Sequence, residues 1–310
     1  MKRLATIDLG TNTFLLLISE YNDKLITILD EQRIPRIGKE IDEKKNIHRD
    51  AFYRALEVLK EYKFICEKFK VDKIVAVGTS ALRDAKNKSE FIEFIKKHIN
   101  IEIEILSGEE EALFTYIGGI KSLGLDINNK YSVIDIGGGS TEIVIGEGRN
   151  IYQKISLNIG SVRMTERFLL NDPPLELEIE KMDECISNEL SKIKNNSFKN
   201  TCLVGVAGTV TTLAMIDIGE KNIIPEKING YKLSLLKIKS ILNKFKQSTI
   251  EEIKNVFHIP EGRADVIFAG VSILVNFMSK FKIDSITTSI GGLRYGIAVR
   301  EYEKVYLKSQ

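Results

Sequence analysis

The sequence predicts an α/β protein of two similar domains flanking a cleft. Three observations carry that expectation. Apolar strands alternate with helical stretches along most of the chain. A strand–Asp–turn–strand plan, LATIDLGTNTFLLLIS, returns half-way along as YSVIDIGGGSTEIVIGEG, a repeat on the scale of a domain. The 310 residues are enough for two cores, and with only five prolines and no Ser/Gly-rich linker the halves should pack closely.

The elements follow in order. LATID (4–8) and FLLLIS (14–19) read as a hairpin about the turn LGTNT, and LITILDEQRI continues the meander. Phe52, Ala55, Leu56, Leu59, Phe64, Ile65 and Phe69 recur at helical spacing. KIVAVGTSALRDA (73–85) reads as a buried strand, a small-residue turn and a helix start; SEFIEFIKKHI is a helix and IEIEIL (101–106) a strand. SGEEEALFTYIGGIKSL is a helix opened by Ser107. After LGLDINNKY the second hairpin (131–148) begins, followed by a helical stretch (175–194), the strand TCLVGVAG (201–208), further helices, the strand SITTSIGG (285–292) and a terminal helix. The expected domains are 1–124 and 125–295, with the terminal helix 296–310 packing back on the first.

Composition narrows the function classes. Hydrophobic residues at 43% and charged residues at 28% are the balance of a soluble globular protein. A net charge of +2 leaves no global basic field for nucleic acid, so anions must be bound by local sites. Cys66, Cys185 and Cys202 form no CxxC pair and share no ligand spacing with His48, His98 and His258, which argues for a reducing compartment. The run FLLLI is too short for a signal or membrane segment. A cytoplasmic protein with no membrane partner is expected.

Four turns rich in glycine or hydroxyls follow apolar strands: DLGTNT (8–13), DIGGGST (135–141), GVAGTVTT (205–212) and SIGG (289–292). Turns without Cβ atoms let backbone N–H groups approach phosphate oxygens, and nearby Thr, Ser and Asn add donors. An Asp at a strand end repels phosphate but meets it through a hard cation, so Asp8 and Asp135 read as metal or water ligands. No GxxxxGK[ST] occurs, and GGGSTE runs into a strand rather than a helix, which excludes a P-loop and a dinucleotide fingerprint.

The run Glu109–Glu111 suits the first turn of a helix and its positive dipole end. A carboxylate beside a bound polyanion would also have its pKa raised, as a general base needs, and spacing alone leaves Glu111 open between the two roles. Arg83, Arg163 and Arg263 are each open between a phosphate contact and an ordinary salt bridge, for Arg83 with Asp84 or Asp72.

Taken together, IDLGTNT, VGTSALRDA, LSGEEEA, VIDIGGGSTE, NIGSVRMTE, VAGTVTTLA, GRAD and GGLRYG resemble, in order and over nearly the whole chain, the exopolyphosphatase/guanosine pentaphosphate phosphohydrolase (Ppx/GppA) family. The resemblance implies two ribonuclease-H-like domains of the actin, sugar-kinase and heat-shock-chaperone superfamily. It implies Glu111 as catalytic base, Asp135 as contact to Mg²⁺ (or Mn²⁺) and the attacking water, Glu142 as support for metal or water, and Arg83 as a phosphate ligand. Gly10, Thr11, Asn12, Thr13, Gly137, Gly138, Ser140 and Thr141 would bind terminal phosphates, with Gly208 and Thr209 of the third loop, and Asp8 joins the metal set.

Two departures bear on the distal phosphate path. Tyr295 stands in Leu293-Arg294-Tyr295-Gly296 where LREG is common, and Glu40 stands where glycine is common. The chain resembles the short two-domain form, without the helical domain related to HD phosphohydrolases. The expected reaction is hydrolysis of the terminal phosphoanhydride of inorganic polyphosphate. Guanosine pentaphosphate as substrate (with guanosine tetraphosphate the product), an ATP-dependent kinase with a nucleoside pocket around 205–220, and a non-catalytic alarmone sensor are the rival readings. Family members are often homodimers, and a homodimer is a possible state here.

Overall fold

The computed structural model describes residues 2–22, 24–38, 45–125, 129–148, 150–194, 197–259 and 262–306. Contacts divide the chain into two units, one running to Gly118 and resuming at Leu293, the other Gly119–Gly292. The first division falls inside a continuous helix rather than in the LGLDINNKY loop near Gly124.

The first unit opens with an antiparallel meander, β1 (Arg3–Leu9), β2 (Phe14–Asn22) and β3 (Lys24–Arg33). Helix α1 (Arg49–Lys68) leads to β4 (Lys73–Gly78), parallel to β1. Short α2 (Ser80–Asp84) and α3 (Lys88–Ile99) lead to β5 (Ile103–Ile105), and α4 (Gly108–Ser122) leaves the unit. The strand order is β3-β2-β1-β4-β5. Alternation explains the continuous apolar strands, since both faces are covered. Ala5, Ile7 and Leu9 join Phe52, Leu56, Phe91 and Ile95 in one core. Leu4 and Leu17 pack with Tyr295, Ala298 and Tyr302 of the terminal helix (Leu293–Tyr306). By the two-residue period Asp8 shares the face of Leu4 and Thr6, where the Thr6 hydroxyl donates to the Arg294 carbonyl at 2.9 Å.

Helix α1 corrects one expected position. Phe64 is 67% exposed, and Tyr62 and Cys66 take the inward places. The 3.6-residue repeat running through Phe52, Ala55 and Leu59 continues to Tyr62 and Cys66, and the Tyr62 hydroxyl reaches the Phe14 carbonyl at 2.9 Å.

The second unit repeats the plan with β6 (Lys130–Ile136), β7 (Thr141–Glu147) and β8 (Asn150–Leu157), again an antiparallel meander. Helices α5 (Ser161–Phe168) and α6 (Glu176–Leu190) lead to β9 (Cys202–Val206), parallel to β6. Then come α7 (Ala207–Ile218), α8 (Pro225–Ile228), β10 (Lys232–Ser234), α9 (Leu235–Lys246), α10 (Ile250–Phe257), α11 (Ile267–Lys280) and β11 (Ser285–Thr288). The order β10-β11-β9-β6-β7-β8 reproduces the first sheet as β8-β7-β6-β9-β11 and adds an antiparallel edge strand, β10. Both units are therefore ribonuclease-H-like sheets. The expected turn after β9 is not a separate loop: α7 starts directly at Ala207, which adopts a left-handed φ of 66°.

Cys66, Cys185 and Cys202 are free thiols. No helix among the described residues is long and apolar enough to cross a membrane.

Candidate active site

In the first unit the glutamate run is separated by the helix that carries it. Ser107 Oγ accepts the Glu110 N–H at 3.1 Å and Glu110 Oε2 accepts the Ser107 N–H at 2.9 Å, a reciprocal N-terminal cap. The Ser107 N–H holds the Glu110 carboxyl below the usual range. Glu109 is exposed, whereas Glu111, one residue further round, is only 8% exposed. Arg83 Nη1 donates to Glu111 Oε2 at 2.7 Å and to the Leu106 carbonyl at 3.2 Å. Burial pushes the Glu111 carboxyl above its ordinary value, Arg83 opposes that push and Asp84 adds to it. Arg83 therefore meets Glu111 across α2 and α4. Asp72, one of its expected partners, instead accepts the N–H groups of Lys2 and Arg3 at 2.7 and 2.8 Å.

The first hairpin turn is tight. The Gly10 N–H donates to the Thr13 carbonyl at 3.1 Å. The carbonyls of Thr11 and Asn12 accept the N–H groups of Gly38 (2.9 Å) and Arg36 (3.1 Å). A Cβ on Gly38 would stand 2.1 Å from Thr11 Cγ2, so only glycine permits this approach. The buried Thr11 hydroxyl lies 3.2 Å from that of Ser80 at the start of α2. Gly10, Asn12, Thr13 and Asp8 are partly exposed. Glu40 lies outside the described residues. Tyr295 is part of a polar group with Asp30: its hydroxyl is 3.2 Å from Asp30 Oδ2 and 3.1 Å from Thr27 Oγ1, while Arg294 grips Asp30 bidentately at 2.9 and 2.7 Å.

In the second unit the register of β6 and β7 sets Asp135 directly opposite Glu142, and parallel pairing sets Asp135 beside Val206. Residues directly opposite in an antiparallel pair share a face, so the two carboxylates are neighbours. The equivalent position in the first hairpin, opposite Asp8, is Leu15. Glu142 is 2% exposed and accepts the Ser156 hydroxyl from β8 at 3.1 Å.

No group of three His, Cys, Asp or Glu side chains able to hold a metal occurs among the described residues. Mg²⁺ needs no such cage, since it keeps waters and takes one or two carboxylates with substrate phosphates. The Asp135–Glu142 pair fits that donor set.

The Gly137 N–H donates to the Ser140 carbonyl at 3.0 Å, closing the second turn as Gly10 closes the first. Gly137 and Gly138 are partly exposed, and Ser140 is buried. The expected phosphate role of the Thr141 hydroxyl is not what the structure shows: it is fully buried and donates to the Ile159 carbonyl at 2.6 Å. Thr141 starts β7, and its side chain points into the sheet packing rather than the turn. Thr209 is also buried, and its hydroxyl lies where a Cβ on Gly270 would approach within 2.6 Å. Arg263 lies against Gly208, its guanidinium 2.9 Å from where a Cβ would stand, and approaches Thr212 Oγ1 at 3.4 Å. Burial lowers Arg263 to about 10. Gly38, Ser156 and Gly160 also shape the turns and their carboxylates, and of these Gly160, inside NIGSVRMTE, had a signal in the sequence: a Cβ there would stand 2.4 Å from Gly138 O.

Residues 17–305 match the model of the Ppx/GppA phosphatase family. The chain is 36% identical over 299 residues to a bifunctional 3-dehydroquinate synthase/phosphatase from Fusobacterium nucleatum, covering 92% of this chain and 44% of that protein. It is 31% identical over 306 residues to a guanosine-5'-triphosphate,3'-diphosphate pyrophosphatase from Vibrio parahaemolyticus, covering 97% of this chain and 59% of the relative. The chain thus spans about half the length of the curated relatives it matches. Among solved structures, a family member from Aquifex aeolicus is 36% identical with a TM-score of 0.82, covering 98% of both chains. An exopolyphosphatase from Cytophaga hutchinsonii is 31% identical with a TM-score of 0.90, again over 98% of both.

Proposed function

This chain belongs to the Ppx/GppA phosphatase family, and we propose that it hydrolyses the terminal phosphoanhydride of inorganic polyphosphate, releasing phosphate. The observation that carries this reading is the buried Glu111 carboxylate held by Arg83. A structural helix-cap glutamate has no reason to be buried, and Glu110 already fills that place. A raised carboxyl suits a base that takes a proton from water. In this mechanism Glu111 accepts a proton of the attacking water on a carboxylate oxygen, the water oxygen bonds to the terminal phosphorus, and the bridging P–O bond breaks, so that orthophosphate leaves one side and the bridging oxygen stays on the shortened chain. Arg83 supplies charge to the phosphoryl oxygens, and the N–H groups of the two hairpin turns orient the chain end. Asp135 and Glu142 are the residues that would hold Mg²⁺ or Mn²⁺, which when bound neutralises phosphate charge.

Guanosine pentaphosphate is the second reading, favoured by the name of the Vibrio relatives. It presents the same terminal phosphoanhydride to the same groups. The test measures phosphate release from long-chain polyphosphate, tripolyphosphate, guanosine pentaphosphate, ATP and a phosphomonoester, with and without Mg²⁺. Polyphosphate should turn over fastest, and Glu111→Gln, which keeps volume and an acceptor for Arg83, should lower kcat by about 10²–10⁴. Near-normal turnover in Glu111→Gln would remove the base. Faster turnover of guanosine pentaphosphate would move the substrate to the second reading, and tight binding without release would favour a sensor.

A further inference from the structure

We propose that Arg163 is a positioning residue that shapes the Gly137–Ser140 turn for anion binding, an inference that rests on the phosphate-binding reading of that turn. Three successive carbonyls of the turn are drawn to the segment that opens α5. The Ser161 N–H donates to Gly137 O at 2.9 Å, with its hydroxyl at 3.3 Å. The Arg163 N–H donates to Gly138 O at 3.0 Å, and Arg163 Nε to Gly139 O at 2.6 Å. The approach depends on Gly160, where a Cβ would stand 2.4 Å from Gly138 O.

In a trans peptide the carbonyl and the following N–H point in opposite directions. Each carbonyl pulled toward α5 therefore turns the N–H of Gly138, Gly139 or Ser140 away from it. Three successive N–H groups turned away from α5, those of partly exposed Gly138 and of buried Gly139 and Ser140, make a concave nest for an anion.

The duplication in the fold supports the assignment independently. When Asp8 is aligned with Asp135, Thr11 and Asn12 correspond to Gly138 and Gly139. Their carbonyls are also tied back, by the N–H groups of Gly38 and Arg36. In the first hairpin two backbone donors do this; in the second, a side-chain Nε replaces one of them. Arg163 therefore acts through the turn, and its Nε hydrogen bond is the feature that matters.

That makes a sharp test possible, because the glutamine amide nitrogen stands as many bonds from the backbone as arginine Nε, and the lysine nitrogen one bond further. Arg163→Gln keeps the donor without the charge, Arg163→Lys keeps the charge and displaces the donor, and Arg163→Leu removes both. Tripolyphosphate binding is measured by titration calorimetry on the full chain, with KM and kcat on polyphosphate alongside. Leu and Lys should weaken binding and raise KM about tenfold, with kcat less affected, and Gln should stay within about threefold of the parent. A parent-like Lys with a defective Gln would overturn the proposal in favour of a direct contact between charge and anion. Hydrogen exchange without ligand reads the turn itself: the Gly137, Ser161 and Arg163 amides should exchange about tenfold faster in Leu and near the parent rate in Gln. Unchanged exchange in Leu would overturn the positioning role. If exchange follows this pattern but the parent protein fails to bind tripolyphosphate, the phosphate reading falls and the positioning stands.

Discussion

Replacing Arg83 by methionine removes the cation that faces Glu111 and keeps most of the side-chain volume. The Glu111 side chain is 10% exposed and Arg83 24% exposed, separated by 2.7 Å. Breaking a fully buried pair by deleting one partner costs about 3–5 kcal/mol because the other charge is left in low dielectric. The partial exposure of Arg83 admits some water, so we expect about 2–4 kcal/mol at pH near 8.

The sign with pH follows from Glu111. Its folded carboxyl is already raised above the ordinary value of 4.5 by burial, with Arg83 opposing. Above that ordinary value the folded state holds its proton longer than the unfolded chain, so stability falls as pH rises through the window up to the folded value. Without Arg83 the window widens upward and the fall is larger. Arg83→Met should therefore cost least at the acid end of that window, close to the ordinary value of 4.5, and most near pH 8. Urea unfolding of Arg83→Met, Glu111→Gln and the double variant at both pH values measures this. The double variant should lie within about 1 kcal/mol of Glu111→Gln, since no buried charge remains to be stranded. An equal cost of Arg83→Met at both pH values would refute the reasoning, by showing that the loss comes from packing or from the Leu106 carbonyl.

Three further outcomes are expected. Gly296→Ala would put a Cβ 1.8 Å from the Phe114 carbonyl oxygen, so backbone must move and the melting temperature should fall by several degrees, or soluble protein be lost. Burial alone would push the Glu301 carboxyl up, but Lys304, Lys73 and Arg300 hold it at about 2. Its stabilisation is therefore full above the ordinary value of 4.5 and lost as pH falls toward 2, so Glu301→Gln should cost about 2 kcal/mol at neutral pH and progressively less in acid denaturation curves. Gly160→Ala would put a Cβ 2.4 Å from Gly138 O, so the turn backbone must move there too: KM for polyphosphate should rise and the melting temperature fall by several degrees, read by steady-state kinetics and thermal unfolding.

Turn chemistry and short-range periodicity were legible without coordinates. The Asp-led glycine turns, the duplicated hairpin and the alternation of strands with helices led to two α/β units and to the family, because each depends on residues close in the chain. Other decisions depended on residues brought from far away. The helix places Glu110 at its own cap and turns Glu111 into the interior, yet only the approach of α2 supplies Arg83 as its partner. The β6–β7 register makes neighbours of Asp135 and Glu142, while the equivalent register in the first hairpin offers Leu15 to Asp8. Thr141 looked like one more hydroxyl of the turn until sheet packing committed it to Ile159. Arg163 was open between a phosphate contact and a surface salt bridge, and the fold brings its Nε to the Gly139 carbonyl, a partner neither reading offered. Local geometry and patterned burial settled most strands and helices ahead of the structure, the turn expected after β9 excepted, where α7 begins at once at Ala207. Which charge meets which partner was decided only by the tertiary structure, because a hydrogen bond of 2.6 or 2.7 Å is made by atoms that the chain order leaves 24 or 28 residues apart.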